Sequence, residues 1–457
     1  MTVTLATALL VQLAAVLLLR HRLGKGWLRR PVTLLVLASV VYDGVSPVLL
    51  AFPSVGKWDI YRQGVAQSYV DEATLIMSGG MLAFTVAYLL TRPERAVSEP
   101  QPGDVAQVSG VLDWRLLALA CAPLAVLTYE GRGYNGTAAT APGAALGPEL
   151  ASAFFVLLMA LAAFSLVLRR GPQWFLPALA AQSVLLAAAG ERTPVIADAI
   201  VLIVLLARAG MRPSGTQLRA AAGLTLATVL AIGGVRAEQG RSLYGQDSGL
   251  GARLAALGDG LSGLGGTAPG DSPGLLAQAA SRLDGTAFAG GILQAEHLGQ
   301  PGLSAAGVPA SLLITVPSAL WPAKVADSAG LNPVLAETDD FGLQQVNFLP
   351  GLAGFYAGFL SWPWLIAFLA VLGLLAGWAE RALLRSASAA RLVLLAGAVI
   401  MALDFEKGLP GMLAGFRAVV LLAVAVRLAC AFLRVQRARA RLPAAGSAPG
   451  LPRPRLP

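Results

Sequence analysis

The residues in this 457-residue chain best suited to chemistry are cations placed where an anion could be held. The turn Gly190-Glu191-Arg192-Thr193-Pro194 stands just before an apolar run. Proline suits the first turn of a helix, and the unpaired N–H groups there favour an anion. Arg192 beside them adds a planar, two-pronged donor. Further along come Arg236, Arg241, Arg253, Arg282 and Lys324, all in one long stretch between apolar runs. Within Ser318-Ala319-Leu320-Trp321-Pro322-Ala323-Lys324, Trp321 suits an aromatic anchor at a membrane surface, with the Lys324 cation beyond it. Charges inside apolar runs include Asp43, Asp198, Asp404 and Arg417. Charge in lipid is expensive, so these either pair to hold helices together or line a substrate cavity.

Other chemistry finds little support. His21 and His297 stand alone, and Cys121 and Cys430 sit inside apolar runs as small hydrophobes, so no metal site is expected. The sequence has no GxxxxGK[ST] or HExxH, the signatures of nucleotide hydrolysis and zinc proteolysis. Its one GxSxG spacing, Gly270-Asp271-Ser272-Pro273-Gly274, lies in a Gly-rich stretch and not at the strand-to-helix turn that α/β-hydrolase chemistry needs. No cofactor is expected.

The elements that must position these residues are membrane spans. Hydrophobic residues make up 56%, charged ones only 13%, and the mean hydropathy is +0.68, against about 25% charge in an ordinary soluble domain. Such a chain cannot coat itself for water, and the predicted fold class is an all-α polytopic integral membrane protein. A span needs about 20 mostly apolar residues. Eleven candidates follow: Val3–Leu19, Val32–Phe52, Thr74–Leu90, Leu112–Thr128, Ala151–Leu168, Trp174–Ala189, Pro194–Ala207, Leu218–Val235, Leu352–Trp378, Leu392–Asp404 and Met412–Leu433.

These runs divide the chain into a bundle of about eight spans over residues 1–235, a large outer loop over 236–350, about three spans over 351–433, and a basic tail over 434–457 expected to be disordered. Within the loop, Val308–Pro322 is apolar but broken by prolines, which suits a re-entrant or interfacial piece. Basic residues gather in cytoplasmic loops. Placing the N-terminus outside and the C-terminus inside puts 22 Lys and Arg in inner segments and five in short outer ones. The net charge of +9 is therefore read as membrane orientation, with no nucleic acid as partner. Paired glycines at Gly354–Gly358, Gly373–Gly377 and Gly411–Gly415 suggest close helix packing.

Four stretches together give the chain a likeness. Gly-Glu-Arg-Thr-Pro before an apolar helix, Ser281-Arg282-Leu283-Asp284-Gly285, Val316–Lys324, and Asn347–Phe359 before a long span are similar to elements of the Wzy-type O-antigen or oligosaccharide repeat-unit polymerases. Glu191 stands where that family's turn has Ser, Ser318 where the third stretch has Arg, and Val325 where it has Pro. The resemblance implies a bacterial inner-membrane glycosyltransferase that joins repeat units carried on undecaprenyl diphosphate, needing neither metal nor nucleotide. It implies as partners the lipid-linked glycan, the bilayer and a chain-length regulator protein. Arg192, Arg282 and Lys324 would stabilise the diphosphate leaving group, since clustered cations can meet its developing charge. Glu191, Asp284 and His297 are the candidate bases for the acceptor hydroxyl, and Arg236, Arg241, Trp321, His297 and Arg417 the candidates for substrate contact. An O-antigen ligase-like transferase and a lipid-linked oligosaccharide flippase or transporter stay open as alternatives.

Overall fold

The computed structural model describes residues 2–56, 64–91, 200, 215, 219, 223, 280–281, 283–316, 321, 333–341, 350–384 and 389–441. Apart from the single positions 200, 219 and 223, the expected spans between Leu112 and Val235 fall outside the described residues. Among the described residues the chain is helical throughout, with no strand. Four helices are long and apolar enough to cross a membrane: Val3–Leu23, Pro31–Leu50, Gln67–Leu90 and Trp362–Leu383.

Helix α1 (Val3–Leu23) starts at Thr2, whose side chain accepts from the Leu5 N–H, and ends at Gly24, where φ is 67°. Its last turn carries Arg20, His21 and Arg22, cations at the negative end of a helix dipole. The second span is built from α2 (Pro31–Val40), one wide π-helical turn (Val41–Val45) and α3 (Ser46–Leu50). A short helix, α4 (Pro53–Gly56), leads toward α5 (Gln67–Leu90). The returning half comprises α6 (Thr286–His297), α7 (Gly307–Leu312), α8 (Pro333–Phe341) and α9 (Gly351–Gly354). The long helices α10 (Trp362–Leu384), α11 (Ala389–Leu403) and α12 (Gly408–Arg441) follow.

Paired residues fix how the helices run. Thr2 Oγ1 donates to Asp71 near the start of α5, and Gln12 Nε2 donates to Ser78 Oγ at 3.0 Å one step further along; α1 and α5 are therefore parallel. A Cβ on Gly80 would lie 2.5 Å from Leu369, one on Gly373 2.2 Å from the Phe84 carbonyl oxygen, and one on Gly377 2.3 Å from Thr91 Oγ1. Thus α5 and α10 are parallel too, and Gly373 and Gly377 are the expected close-packing pair, because any side chain there would part the two backbones. The other two glycine pairs differ. Gly415 faces open space, Gly354 ends the short helix α9, and Gly358 lies in the turn after it. Helices α11 and α12 form a hairpin, with Gly397 against Val419. The helix ends thus gather in two layers, one holding residues 23–31, 88–91, 380–384 and 389–391, the other Thr2, Ala66, Trp362 and Asp404.

Three boundaries depart from the sequence expectation. Helix α10 starts at Trp362 rather than Leu352, because Gly351 takes φ 76°. Moreover, the Gly358 N–H donates to Glu337 at 2.8 Å and its carbonyl accepts from Leu303 N at 2.7 Å. Those groups are spent on loop partners and cannot start a helix. Helix α5 begins at Gln67 rather than Thr74, and α12 continues to Arg441 rather than stopping at Leu433.

Candidate functional site: a buried acidic turn

The turn leading into α6 sits inside the helical bundle. Ala280 is 2% exposed and Asp284 is fully buried. Ser46, in the second span, donates its hydroxyl to the Ala280 carbonyl at 2.6 Å. Asp284 Oδ1 accepts from the N–H of Thr286 at 3.0 Å and from its hydroxyl at 2.5 Å. This is the local closure by which an Asp side chain starts a helix. Gly285 follows because no other residue fits. A Cβ there would lie 3.0 Å from the Pro350 carbonyl oxygen and 3.2 Å from Asp43 Oδ1.

Asp43 reaches this turn from the π-helical segment. A π-turn widens the helix and is found mostly at functional sites. Its room is provided by Gly44, whose Cβ would collide at 2.0 Å with Gln12 Oε1. Gln12 stands ten residues into α1, about 15 Å along the axis at 1.5 Å per residue, half the thickness of a bilayer core of about 30 Å. Asp43, next to Gly44, thus lies level with the middle of α1. Asp43 Oδ2 accepts from Ser39 Oγ at 3.0 Å, while Asp43 Oδ1 and Gln12 Oε1 are buried with no hydrogen-bond partner. Tyr42 and Phe405, with ring centroids 5.6 Å apart, close one side, and Phe405 packs over Gly351.

From this turn α6 climbs along α5, close enough that a Cβ on Gly290 would lie 2.9 Å from Val70 Cα. Gln294 clasps the connection before α5, accepting from Ala66 N at 2.7 Å and donating to the Gly64 carbonyl at 3.1 Å. His297 ends the helix on the surface, its Nδ1 3.0 Å from the Leu293 carbonyl and its ring 5.2 Å from Tyr69. The fold therefore separates two candidate bases: Asp284 is buried at one end of α6 and His297 is exposed at the other.

A second group of carboxyls surrounds Gly358. Glu337 of α8 is fully buried; one oxygen accepts from Gly358 N and the other has no partner. Burial pushes it well above the usual carboxylate range. Glu296 accepts from Trp362 Nε1 at 3.0 Å and is also raised, again first by burial. Ser311 Oγ and Tyr356 OH lie 3.0 Å apart beside them.

Arg417 donates Nη1 to the Thr315 carbonyl, tying α12 to the start of the stretch that carries Trp321, itself half-buried. Arg192, Arg282, Lys324, Glu191, Arg236 and Arg241 lie outside the described residues. Sequence reasoning singled out Asp43 and Asp284 separately; nothing in their spacing joins residues so far apart in the chain. Glu337 was missed, since in Glu337-Thr338-Asp339-Asp340 it reads as one of several solvated acids. Among the described residues no group of three His, Cys, Asp or Glu could hold a metal ion. No family model, no curated protein and no solved structure matches the chain.

Proposed function

We propose that this protein is a polymerase of lipid-linked glycan repeat units, a glycosyltransferase of about eleven spans working at the outer face of a bacterial inner membrane. Its N-terminus lies outside and its C-terminus in the cytoplasm. The observation that carries the reading is the place of Asp284. The element that resembles the family's Arg-x-Asp motif is not a solvated stretch of loop. It folds back into the bundle, held by Ser46 and pressed on Asp43 and Pro350. A loop element that gives up water to enter a helical core needs a reason, and a buried, fixed carboxylate is what acid–base chemistry requires.

In the reaction, an acceptor sugar hydroxyl attacks the anomeric carbon of the growing chain. The bond from that carbon to the lipid diphosphate breaks, and the hydroxyl proton passes to a carboxylate, with Asp284 as our first choice over Glu191 and His297. Arg192, Arg282 and Lys324, helped by Arg236, meet the charge that grows on the diphosphate. Trp321, Arg241 and Arg417 belong to the surroundings of the glycan or its lipid carrier.

Deletion of the gene tests this. Chain growth should stop while ligation and export continue, leaving single repeat units on the acceptor in a glycan-length gel. Loss of even the one-unit product would favour a ligase or a flippase, and an unchanged ladder would overturn the assignment.

A further inference from the structure

We propose that the end of α6 is a sugar-binding shelf, on which Glu296 Oε1 and His297 Nε2 accept hydrogen bonds from the hydroxyls of a glycan. The proposal deepens the polymerase reading and rests on it for the ligand, the sugar of a repeat unit.

The shelf lies in the layer of helix ends that holds Ala66 and Trp362. Its two acceptors belong to adjacent residues, whose Cα atoms are about 3.8 Å apart. Glu296 is half-buried, and its Oε2 is taken by the Trp362 indole N–H at 3.0 Å. Its Oε1 has no donor among the described residues. A Cβ on Gly302 would stand 3.7 Å from that oxygen, so the absence of a side chain there leaves it approachable. His297 is exposed, with Nδ1 3.0 Å from the Leu293 carbonyl oxygen. A carbonyl only accepts, so Nδ1 must carry a proton. A neutral imidazole has one N–H, which leaves Nε2 as a bare acceptor facing water. Rings stand on both sides: Trp362 is fixed by its bond to Glu296, and the Tyr69 ring lies 5.2 Å from that of His297.

This chemistry selects the ligand. Tyr69, Glu296, His297 and Trp362 bring acceptors and ring faces, and none is a permanent cation. Glu72, three residues beyond Tyr69 and so on the same side of α5, is a further exposed acid. A phosphate would meet carboxylates here without an Arg or Lys from these residues to hold it. A sugar meets the shelf on its own terms, because it is uncharged, rich in hydroxyl donors, and has C–H faces that lie flat on aromatic rings. Leu298, 77% exposed just past His297, widens the apolar part of the surface.

The chain holds two histidines, so nitrogen-15 histidine in the full-length His21→Gln protein reports on His297 alone. In alkaline buffer, with the imidazole neutral, its spectrum should show a protonated Nδ1 and a bare Nε2. The probe is the repeat-unit oligosaccharide released, free of phosphate, from the host's own surface glycan. Adding it should shift the Nε2 resonance, as for a nitrogen that begins to accept a hydrogen bond, whereas inorganic phosphate should not. Two variants then separate binding from folding. Glu296→Gln keeps an oxygen for the Trp362 N–H but turns the second acceptor into a donor, and His297→Phe keeps a ring beside Tyr69. Each should weaken binding of the oligosaccharide about tenfold in saturation-transfer measurements, the loss of one hydrogen bond. An Nε2–H tautomer, an Nε2 resonance that ignores the oligosaccharide or answers to phosphate instead, or full binding by both variants would overturn the proposal. The polymerase reading fails separately. A shelf that binds the oligosaccharide in a protein whose deletion leaves the glycan ladder unchanged keeps the site and discards the enzyme; a lost ladder with a silent Nε2 does the reverse.

Discussion

Two buried polar clusters lie in this bundle, and they are built on opposite lines. In the layer that holds the end of α5, Arg30 Nη1 is 2.8 Å from Glu380 Oε1, Tyr88 donates to the same oxygen at 2.7 Å, and Val32 N donates to Glu380 Oε2 at 3.4 Å. One carboxylate receives three donors, one of them a cation, and the groups come from the second span, α5 and α10. In the deeper cluster, by contrast, Asp43 stands beside the turn that holds Asp284, and its Oδ1 is left bare. The first cluster has its charges matched and joins three helices, as a lock does. The second leaves buried acceptors on Asp43 and Gln12 without a donor, so it does not close on itself as the first does. Burial alone does not tell structure from chemistry; the balance of donors and acceptors does.

The largest effect should come from breaking the lock. Arg30→Met or Glu380→Leu alone strands a buried charge, a loss of about 3–5 kcal/mol, and folded protein should fall sharply in size-exclusion chromatography of the solubilised material. The double variant Arg30→Met/Glu380→Leu removes both charges and should regain most of that loss. Single variants that fold normally would show that the cluster does not act as a lock.

The next effect is on activity rather than folding. If the protein performs a diphosphate-releasing reaction, removing one of the proposed cations should cost about 2–4 kcal/mol in the transition state, as for the loss of an oxyanion donor. Arg192→Ala and Arg282→Ala should shorten the glycan ladder at matched expression. Arg192→Lys and Arg282→Lys should do so too, since they keep charge but lose the planar fork. Arg253→Ala, in the Gly-rich half of the loop, should change little. The reverse pattern would move the site to another part of the loop.

Gly285 tests the closeness of the turn itself. Alanine there meets the backbone oxygen of Pro350 at 3.0 Å, and overpacking of that kind costs about 1–3 kcal/mol. The melting temperature should drop and the ladder shorten together. Gly79, with nothing within 4 Å, is the comparison, because alanine there should be neutral or mildly stabilising in a helix. Equal effects at both positions would mean that the turn is not tightly packed against Pro350.

Much of the bundle was legible from composition, because hydropathy reports directly what lipid requires of a helix. Val3–Leu19, Thr74–Leu90 and Leu392–Asp404 each sit within or across an observed helix. The π-turn at Val41–Val45 was not legible, since the apolar run Val32–Phe52 continues through it. Nor was the start of α10 at Trp362, which depends on Glu337 and Leu303 capturing the backbone of Gly358. Apolar periodicity describes a helix against an averaged neighbour. The site depends on particular neighbours, distant in sequence, and Asp43 and Asp284 could be named but not joined.

The smallest effect concerns Glu337, which resembles Asp43 in having a bare buried oxygen but lies in α8, in the segment between the long spans. Burial raises it well above its ordinary value of 4.5, so the folded protein binds its proton more tightly than the unfolded chain does. The sign follows from linkage. The stability this group contributes is complete below pH 4.5 and is lost as pH rises through the raised value, where the carboxyl must ionise in a dry site. Glu337→Gln keeps the shape and an oxygen for the Gly358 N–H, and it cannot ionise. Thermal melts of the solubilised protein across a pH series should therefore show the native protein losing stability relative to the variant as pH increases, the two curves approaching each other in acid. Each pKa unit of difference between folded and unfolded states corresponds to about 1.4 kcal/mol at the alkaline end. If the two curves run parallel at every pH, Glu337 titrates alike in the folded and unfolded protein, and its bare buried oxygen would not mark a protonated carboxyl.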